Sequence, residues 1–159
     1  MSAERITLRP VTEADRDFVL TVYASIRAAE MAMVPWTAEQ KDAFVNSQFA
    51  AQTHHYAAEY PEATHEIICC DGVAAGRLYL DRRAQELHVL DVTILPQFRN
   101  SGIGSFVLRQ ILDEARVSGK IVTIYVESFN PSLNLFRKLG FQLSSQDGFQ
   151  CFLCWSPAG

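Results

Sequence analysis

The stretch Glu86-Leu-His-Val-Leu-Asp-Val-Thr-Ile-Leu-Pro96, Gln97-Phe-Arg-Asn-Ser-Gly102-Ile-Gly104, Ser105-Phe-Val-Leu-Arg-Gln-Ile-Leu-Asp-Glu-Ala115 decides the fold of this chain. Its first part is apolar and β-branched with Pro96 at its end, which predicts a strand that stops there. Its third part has apolar residues at 103, 107 and 111 and again at 108, 112 and 115. That is the spacing of a helix with a broad buried stripe. Between them lies Arg99-x-x-Gly102-x-Gly104. Glycine lets backbone N–H groups come close to a ligand, and a helix start offers unpaired N–H donors at the positive end of its dipole. A strand, a glycine turn and a helix in that order make a cradle for phosphate, to which Arg99 adds a fixed cation.

Upstream of this unit, residues 5–9 alternate and suit a half-exposed first strand. Thr12 to Asp15 resembles a capping box and opens a helix through Phe18, Val19, Val22, Tyr23 and Ile26. Met31 to Trp36 breaks the pattern, and Thr37 to Gln40 is a capping box for a second helix through Phe44, Phe49 and Tyr56. From about residue 65 the period changes. His65–Cys70 and Val73–Leu80 flank Asp71-Gly72, a strong hairpin signal. Downstream, Ser118-Gly119 stops the central helix. Lys120–Glu127 predicts a strand that can lie parallel to its predecessor through a right-handed crossover. Asn130-Pro131 opens a short helix ending at Gly140, and Phe141–Leu143 with Phe149–Trp155 suggests a final hairpin. With no linker or repeat, residues 1–159 predict one α+β domain.

Composition narrows the function classes. The 159 residues are 48% hydrophobic and 20% charged, enough for one domain with a sizeable core. The net charge of −4, without a Lys/Arg run, argues against a nucleic-acid partner bound through a basic face. No apolar run approaches the ~20 residues that span a bilayer, so no membrane partner is expected. Met1 to Arg5 precedes no apolar signal core, so export is not expected. Cys69 with Cys70, and Cys151 with Cys154, each point to opposite faces of a strand, as buried reduced thiols of a cytoplasmic protein would. His54 and His55 are adjacent and lack metal-ligand spacing, so no metal is expected.

The element order β-α-α-β-β-β-α-β-α-β-β, with Arg-x-x-Gly-x-Gly after the fourth strand, resembles the GCN5-related N-acetyltransferase (GNAT) superfamily. The segment Glu127-Ser-Phe-Asn130-Pro-Ser-Leu-Asn-Leu-Phe136-Arg-Lys-Leu139-Gly140-Phe141 is similar to that family's second motif. Asp91-Val-Thr-Ile-Leu-Pro96 further resembles a bacterial subgroup. The resemblance implies a mixed, mostly antiparallel sheet of about seven strands flanked by about four helices. It implies acetyl-CoA as acyl donor and an amine of a small molecule or protein as acceptor. Carried onto this chain, the pyrophosphate sits on the backbone N–H groups of Arg99, Asn100, Ser101, Gly102, Ile103 and Gly104. The pantetheine arm pairs, like an added strand, with the backbone of Ile94, Leu95 and Pro96, and Asn130 lies near it. Homodimers are common in that family, and no residue here demonstrates one. A catalytically weak acyl-CoA-binding module is the alternative.

Acetyl transfer to an amine needs a neutral nucleophile, a donor to the oxyanion and a proton for the departing thiolate. The resemblance places the oxyanion donor at the N–H of about Ile94 or Leu95. Many relatives supply the proton from a Tyr beside the cofactor, where this chain has Phe136, which has none to give. Water, another Tyr or unassisted departure remain open. Asp91 shares strand parity with Leu87 and Val89 if the strand has no bulge. It is then a partly buried carboxylate, either a base or a structural hydrogen-bond partner. Glu127 ends the fifth strand beside the cleft, as a base or a solvated strand end. His88 is a relay or simply packed, and a bulge would swap which of these side chains points inward. Trp36, Met31, Met33, Tyr56 and Tyr79 are candidates for the acceptor pocket or for plain helix packing.

Overall fold

The structure, a computed structural model, describes residues 5–157. The leader reading on the first four residues and the last two residues of the expected domain lie outside them.

Strand β1 (Ile6–Pro10) leads through a short 3-10 turn into α1 (Arg16–Ala32). Asp15 locks that turn. Its carboxylate accepts the Thr12 amide at 2.9 Å and takes both Arg9 guanidinium nitrogens. Helix α2 (Ala38–Glu59) starts in the expected capping box. The Gln40 amide donates to Thr37 Oγ1 at 3.1 Å, and the Thr37 amide donates to Gln40 Oε1 at 2.9 Å. Strands β2 (Thr64–Cys70) and β3 (Val73–Arg82) join at Asp71-Gly72, both with positive φ (53° and 79°). Such a pair matches the right-handed twist of the strands it connects. Strand β4 (Glu86–Ile94), α3 (Ile103–Ser118), β5 (Ile121–Glu127), α4 (Leu133–Lys138), β6 (Gln142–Asp147) and β7 (Gln150–Trp155) complete the chain.

The seven strands form one sheet in the order β1-β2-β3-β4-β5-β7-β6, with β4 and β5 parallel and the other neighbours antiparallel. One face is buried under α3 and α4, where Leu78, Leu80, Leu87, Val89, Val107, Leu108, Ile124 and Phe136 meet. The other face, over β2 and β3, is covered by α1 and α2 through Val19, Tyr23, Val45, Phe49, Ile67 and Cys69. Each such side chain contributes about 1.5–3 kcal/mol when fully buried. Cys69 and Cys70 fall on opposite faces, as their adjacency requires.

Two irregularities shape the middle of the sheet. Strand β3 pairs Tyr79 with Asp91 but Leu80 with Val89, which leaves Leu90 as an extra residue in β4. Such a bulge bends its strand and sharpens the local twist. Consequently β4 pairs with β5 only from Glu86 to Val89, opposite Ile121 to Ile124. Beyond that point β4 stays with β3 as far as Ile94, and β5 stays with β7 as far as Glu127. The sheet opens into a V.

Gly76 holds one arm of the V in place. A Cβ there would stand 2.1 Å from the Thr93 carbonyl oxygen and 3.1 Å from Ile94 Cα. Gly76→Ala is therefore expected to push β3 from β4 and cost about 1–3 kcal/mol. An unchanged urea midpoint would contradict this close approach.

Candidate functional site

The cradle is built as its sequence demands. After β4, Pro96–Phe98 makes a 3-10 turn, closed when the Phe98 amide donates to the Leu95 carbonyl at 2.9 Å. Asn100 (φ 61°) and Gly102 (φ 85°) are both left-handed, and Gly102 is the N-cap of α3. The first intrahelical bond runs from the Phe106 amide to the Gly102 carbonyl at 3.0 Å. The amides of Ile103, Gly104 and Ser105 therefore lead the helix ahead of that bond and point at the turn. Arg99 folds back, its Nε donating to the Ile94 carbonyl at 3.0 Å.

Gly104 matters for a different reason than Gly102. A Cβ on it would touch Ile94 and Leu135 at an ordinary 3.9 Å, so nothing in the chain forbids one. The bare Cα faces the mouth between β4 and α4, where a Cβ would fill space open to a ligand. Gly104→Ala should leave the fold intact and raise helix stability by up to about 1 kcal/mol. It should also weaken a phosphate-bearing ligand by about 10- to 100-fold, the worth of one or two charge-assisted hydrogen bonds. Calorimetric titration beside a melting curve separates the two effects.

The arm of the V narrows which backbone groups a ligand can use. The Leu95 amide donates to the Ala75 carbonyl at 2.8 Å, and its carbonyl is taken by Phe98. Pro96 has no N–H, and its carbonyl accepts the Arg99 amide at 3.2 Å. Leu95 and Pro96 are thus committed to the protein, which corrects the expectation that they pair with a ligand arm. Antiparallel ladders alternate, so the residues on either side of a bonded pair turn their amides the other way. That directs the Ile94 and Val92 backbones toward the V. Val92 was missed because the sequence does not say which residue of β4 begins the bonded alternation.

The bulge decides the side chains. Because Leu90 is extra, Val92 and Ile94 join Leu87 and Val89 on the α3 side, while Asp91 and Thr93 face α2. The expected parity of Asp91 with Leu87 and Val89 therefore fails, for the reason that would make it fail. Asp91 meets Arg77, an almost fully buried cation (2% exposed), whose Nε donates to Oδ2 at 2.6 Å. Thr93 donates to Asp91 Oδ1 at 2.7 Å, and Gln52 of α2 accepts from Arg77 Nη2 at 2.6 Å. Both carboxylate oxygens are engaged. The signal for this network was an arginine inside the apolar run Ala74–Leu80.

Tyrosines line the same face. Tyr56 donates its hydroxyl to the carbonyl of the extra residue Leu90 at 3.3 Å, and its ring meets Tyr79 edge-on at 5.0 Å. Burial, and then the nearby Asp91 charge, push the Tyr56 phenol up to about 12. Tyr79 stacks on His65 at 4.3 Å. Met33 and Trp36 lie exposed on the α1–α2 link, while Met31 packs on the core.

At the vertex of the V, the other arm carries a second chain of polar contacts. Thr123 donates to a carboxylate oxygen of Glu86, and His88 Nδ1 lies 2.8 Å from the Thr123 hydroxyl oxygen. Since the hydroxyl proton goes to Glu86, that oxygen accepts, and the imidazole carries its proton on Nδ1. Its Nε2 keeps the lone pair. Tyr125 packs edge-on against the ring at 5.7 Å.

Of the remaining expected residues, Glu127 stands exposed at the end of β5, on the face of Thr123 and Tyr125. Asn130 caps the turn into α4: its Oδ1 accepts from the Ser132 amide at 2.9 Å and from the Ser132 hydroxyl at 2.8 Å. Phe136 is buried in the core (2% exposed), edge-on to Phe141 at 5.3 Å.

Two histidines tie stability to pH. Burial, with Arg77 adding, depresses His65 to about 4, and its Nε2 has no partner. Burial, with Arg83 adding, also lowers His88. Unfolded histidine titrates near pH 6.5, so the unfolded chain takes up these protons first. Their stabilisation is complete above about pH 6.5, and that from His65 is lost as pH falls toward 4. Tm should fall across that window, and less steeply in His65→Gln. An unchanged slope in that variant would contradict the burial of a neutral imidazole.

Comparison with known proteins gives three findings. A family model described as acetyltransferase (GNAT) family matches residues 25–141. A 70-residue stretch is 30% identical to the cysteine-rich protein 2-binding protein of Mus musculus, covering 44% of this chain but only 9% of that protein. Among solved structures, the PaiA N-acetyltransferase of Thermoplasma acidophilum, in complex with coenzyme A, superposes with a TM-score of 0.73. It is 16% identical, over 98% of this chain and 99% of that one. The ribosomal-protein-S18-alanine N-acetyltransferase of Escherichia coli is 14% identical over 95% of this chain and 93% of that one, with a TM-score of 0.63.

Proposed function

Because the chain belongs to the acetyltransferase (GNAT) family, we propose that it transfers an acetyl group from acetyl-CoA to the amine of a small molecule or protein. The observation that carries this reading is the V between β4 and β5 opening directly beside the glycine cradle. The residues present fit the cosubstrate. The amides from Gly102 to Ser105 and the Arg99 guanidinium suit its pyrophosphate, and the space over Gly104 is one a Cβ would fill. The Val92 backbone suits its amide-bearing arm, the Ile94 carbonyl being taken by Arg99 Nε. When bound, acetyl-CoA supplies the activated acyl group and the thiol leaving group.

The chain's own residues then have three tasks. The Ile94 N–H is the donor to the developing oxyanion, since Leu95 is bonded to β3. His88, held as the Nδ1-protonated tautomer by Thr123 and Glu86, accepts the amine proton at Nε2, directly or through water. The same imidazolium can return that proton to the departing thiolate, a task Phe136 cannot perform. Asp91 is a positioning residue, fixing Arg77 behind the wall of the V. Glu127 draws the cationic amine toward the mouth.

A thiol-release assay with acetyl-CoA across a panel of amines tests this reading. Release that depends on an amine supports it. Tight acetyl-CoA binding without release on any amine would instead favour a catalytically weak acyl-CoA-binding module, the reading that Phe136 favours.

A further inference from the structure

Helices α1 and α2 cover the sheet over β2, β3 and part of β4, and stop there. Beyond the V, the same face of β5 and β7 carries large apolar side chains at the surface. Tyr125 is 54% exposed and packs on Phe152, its cross-strand partner, with ring centroids 4.7 Å apart. At the open end, Phe129 and Phe149 are 68% and 72% exposed and meet edge-on at 5.9 Å. The bond from the Ser128 amide to the Phe149 carbonyl ties their loops together. Exposed aromatics that pack on one another in this way mark a binding surface rather than a solvated face.

The charge on the surface says what it binds. Next to Tyr125 on the same face stands Glu127, paired across the sheet with Gln150, which in turn pairs with Asp147. No Lys or Arg lies on β5, β6 or β7. A second copy of this chain packed symmetrically on this face would set carboxylate against carboxylate without a cation to answer them. An ammonium ion attached to a flat apolar body suits both features, through ring stacking and attraction to a carboxylate.

Resting on the acetyl-transfer reading, we infer that the acceptor is a primary amine carried on an aromatic or similarly flat apolar body. Its nitrogen enters the V between β4 and Tyr125, drawn by Glu127, and its body lies over Tyr125 and Phe152. The ammonium first gives one proton to water and becomes the neutral amine; then the N–C bond forms, the C–S bond breaks, and the second N–H proton passes to His88 and on to the departing thiolate.

The test is calorimetric titration of the CoA-saturated protein with 2-phenylethylamine and with ethylamine, alongside kcat/KM for acetylation of each. The ring should improve both quantities by about tenfold. Tyr125→Ser and Phe152→Ser should each weaken 2-phenylethylamine by about three- to tenfold, with acetyl-CoA affinity changed by less than about twofold. Tyr125→Phe, which keeps the ring, should retain binding. Glu127→Gln should raise KM more than it lowers kcat. Equal affinity for the two amines would overturn the inference. So would a concentration-dependent dimer that Tyr125→Ser dissolves without altering amine binding. The two readings fail separately. Ring-dependent binding without thiol release would sink the transferase and leave the amine site standing. Acetylation of ethylamine as fast as of 2-phenylethylamine would do the reverse.

Discussion

Replacing Asp91 by Asn is expected to destabilise the fold by about 3–5 kcal/mol, because it strands a buried guanidinium without its counter-charge. Arg77 is 2% exposed and Asp91 16%, so water can do little to replace the lost partner. For a domain of this size that loss lowers Tm by roughly 6–20 °C. Arg77→Met alone should be comparably harmful, since Asp91 would then face Gln52 and Thr93 without a cation. The double change Arg77→Met, Asp91→Leu should recover most of the loss, as apolar replacements of whole buried pairs usually do. Thermal and urea denaturation of the single and double variants would measure the coupling. An Asp91→Asn protein that melts like the wild type but releases no thiol would show that the carboxylate does chemistry instead.

His88→Gln carries the second large effect, a loss in kcat of about 10²–10⁴-fold, the usual contribution of a positioned general base. The groups facing the imidazole are Asp81, Arg83 and Glu86 from the β3–β4 side and Thr123 and Tyr125 from β5. Burial, then Arg83, lowers its titration, against smaller opposing pulls from Glu86 and Asp81. The acid limb of the kcat/KM profile should therefore have its midpoint below about 6.5 and disappear in His88→Gln. Thr123→Val, which frees the tautomer, should reduce kcat and leave KM nearly unchanged. Retention of that limb in His88→Gln, with its loss in Glu127→Gln, would transfer the role to Glu127.

The elements themselves were legible because local chemistry specifies them. Thr37 and Gln40 cap α2, Asp71-Gly72 turns the first hairpin, and Gly102 starts α3, each as its residue type allows. The antiparallel run β2-β3-β4 and the parallel placing of β5 followed from link lengths, whereas the position of β7 between β5 and β6 did not, and the family resemblance rested on two motifs at the expected places. What could not be read was parity in β4. A single extra residue, Leu90, moves Asp91 from one face to the other, and nothing in the run Val89-Leu90-Asp91 announces a bulge. The same limit hid which backbone groups of Ile94, Leu95 and Pro96 are left for the V. The polar chain Glu86–Thr123–His88 joins strands distant in sequence, and only their parallel register brings it together. Phe136 was placed by resemblance beside the cofactor, whereas its burial against Phe141 is a packing fact that only the fold supplies.

The glycine cradle bears the most weight, and titration with acetyl-CoA of the wild type and of Gly104→Ala, side by side, tests it most directly. Saturable one-site binding by the wild type is expected, with the variant weaker by at least about tenfold and melting no lower. Absence of binding by the wild type, or equal affinity in both proteins, would contradict an acetyl-CoA site at the start of α3.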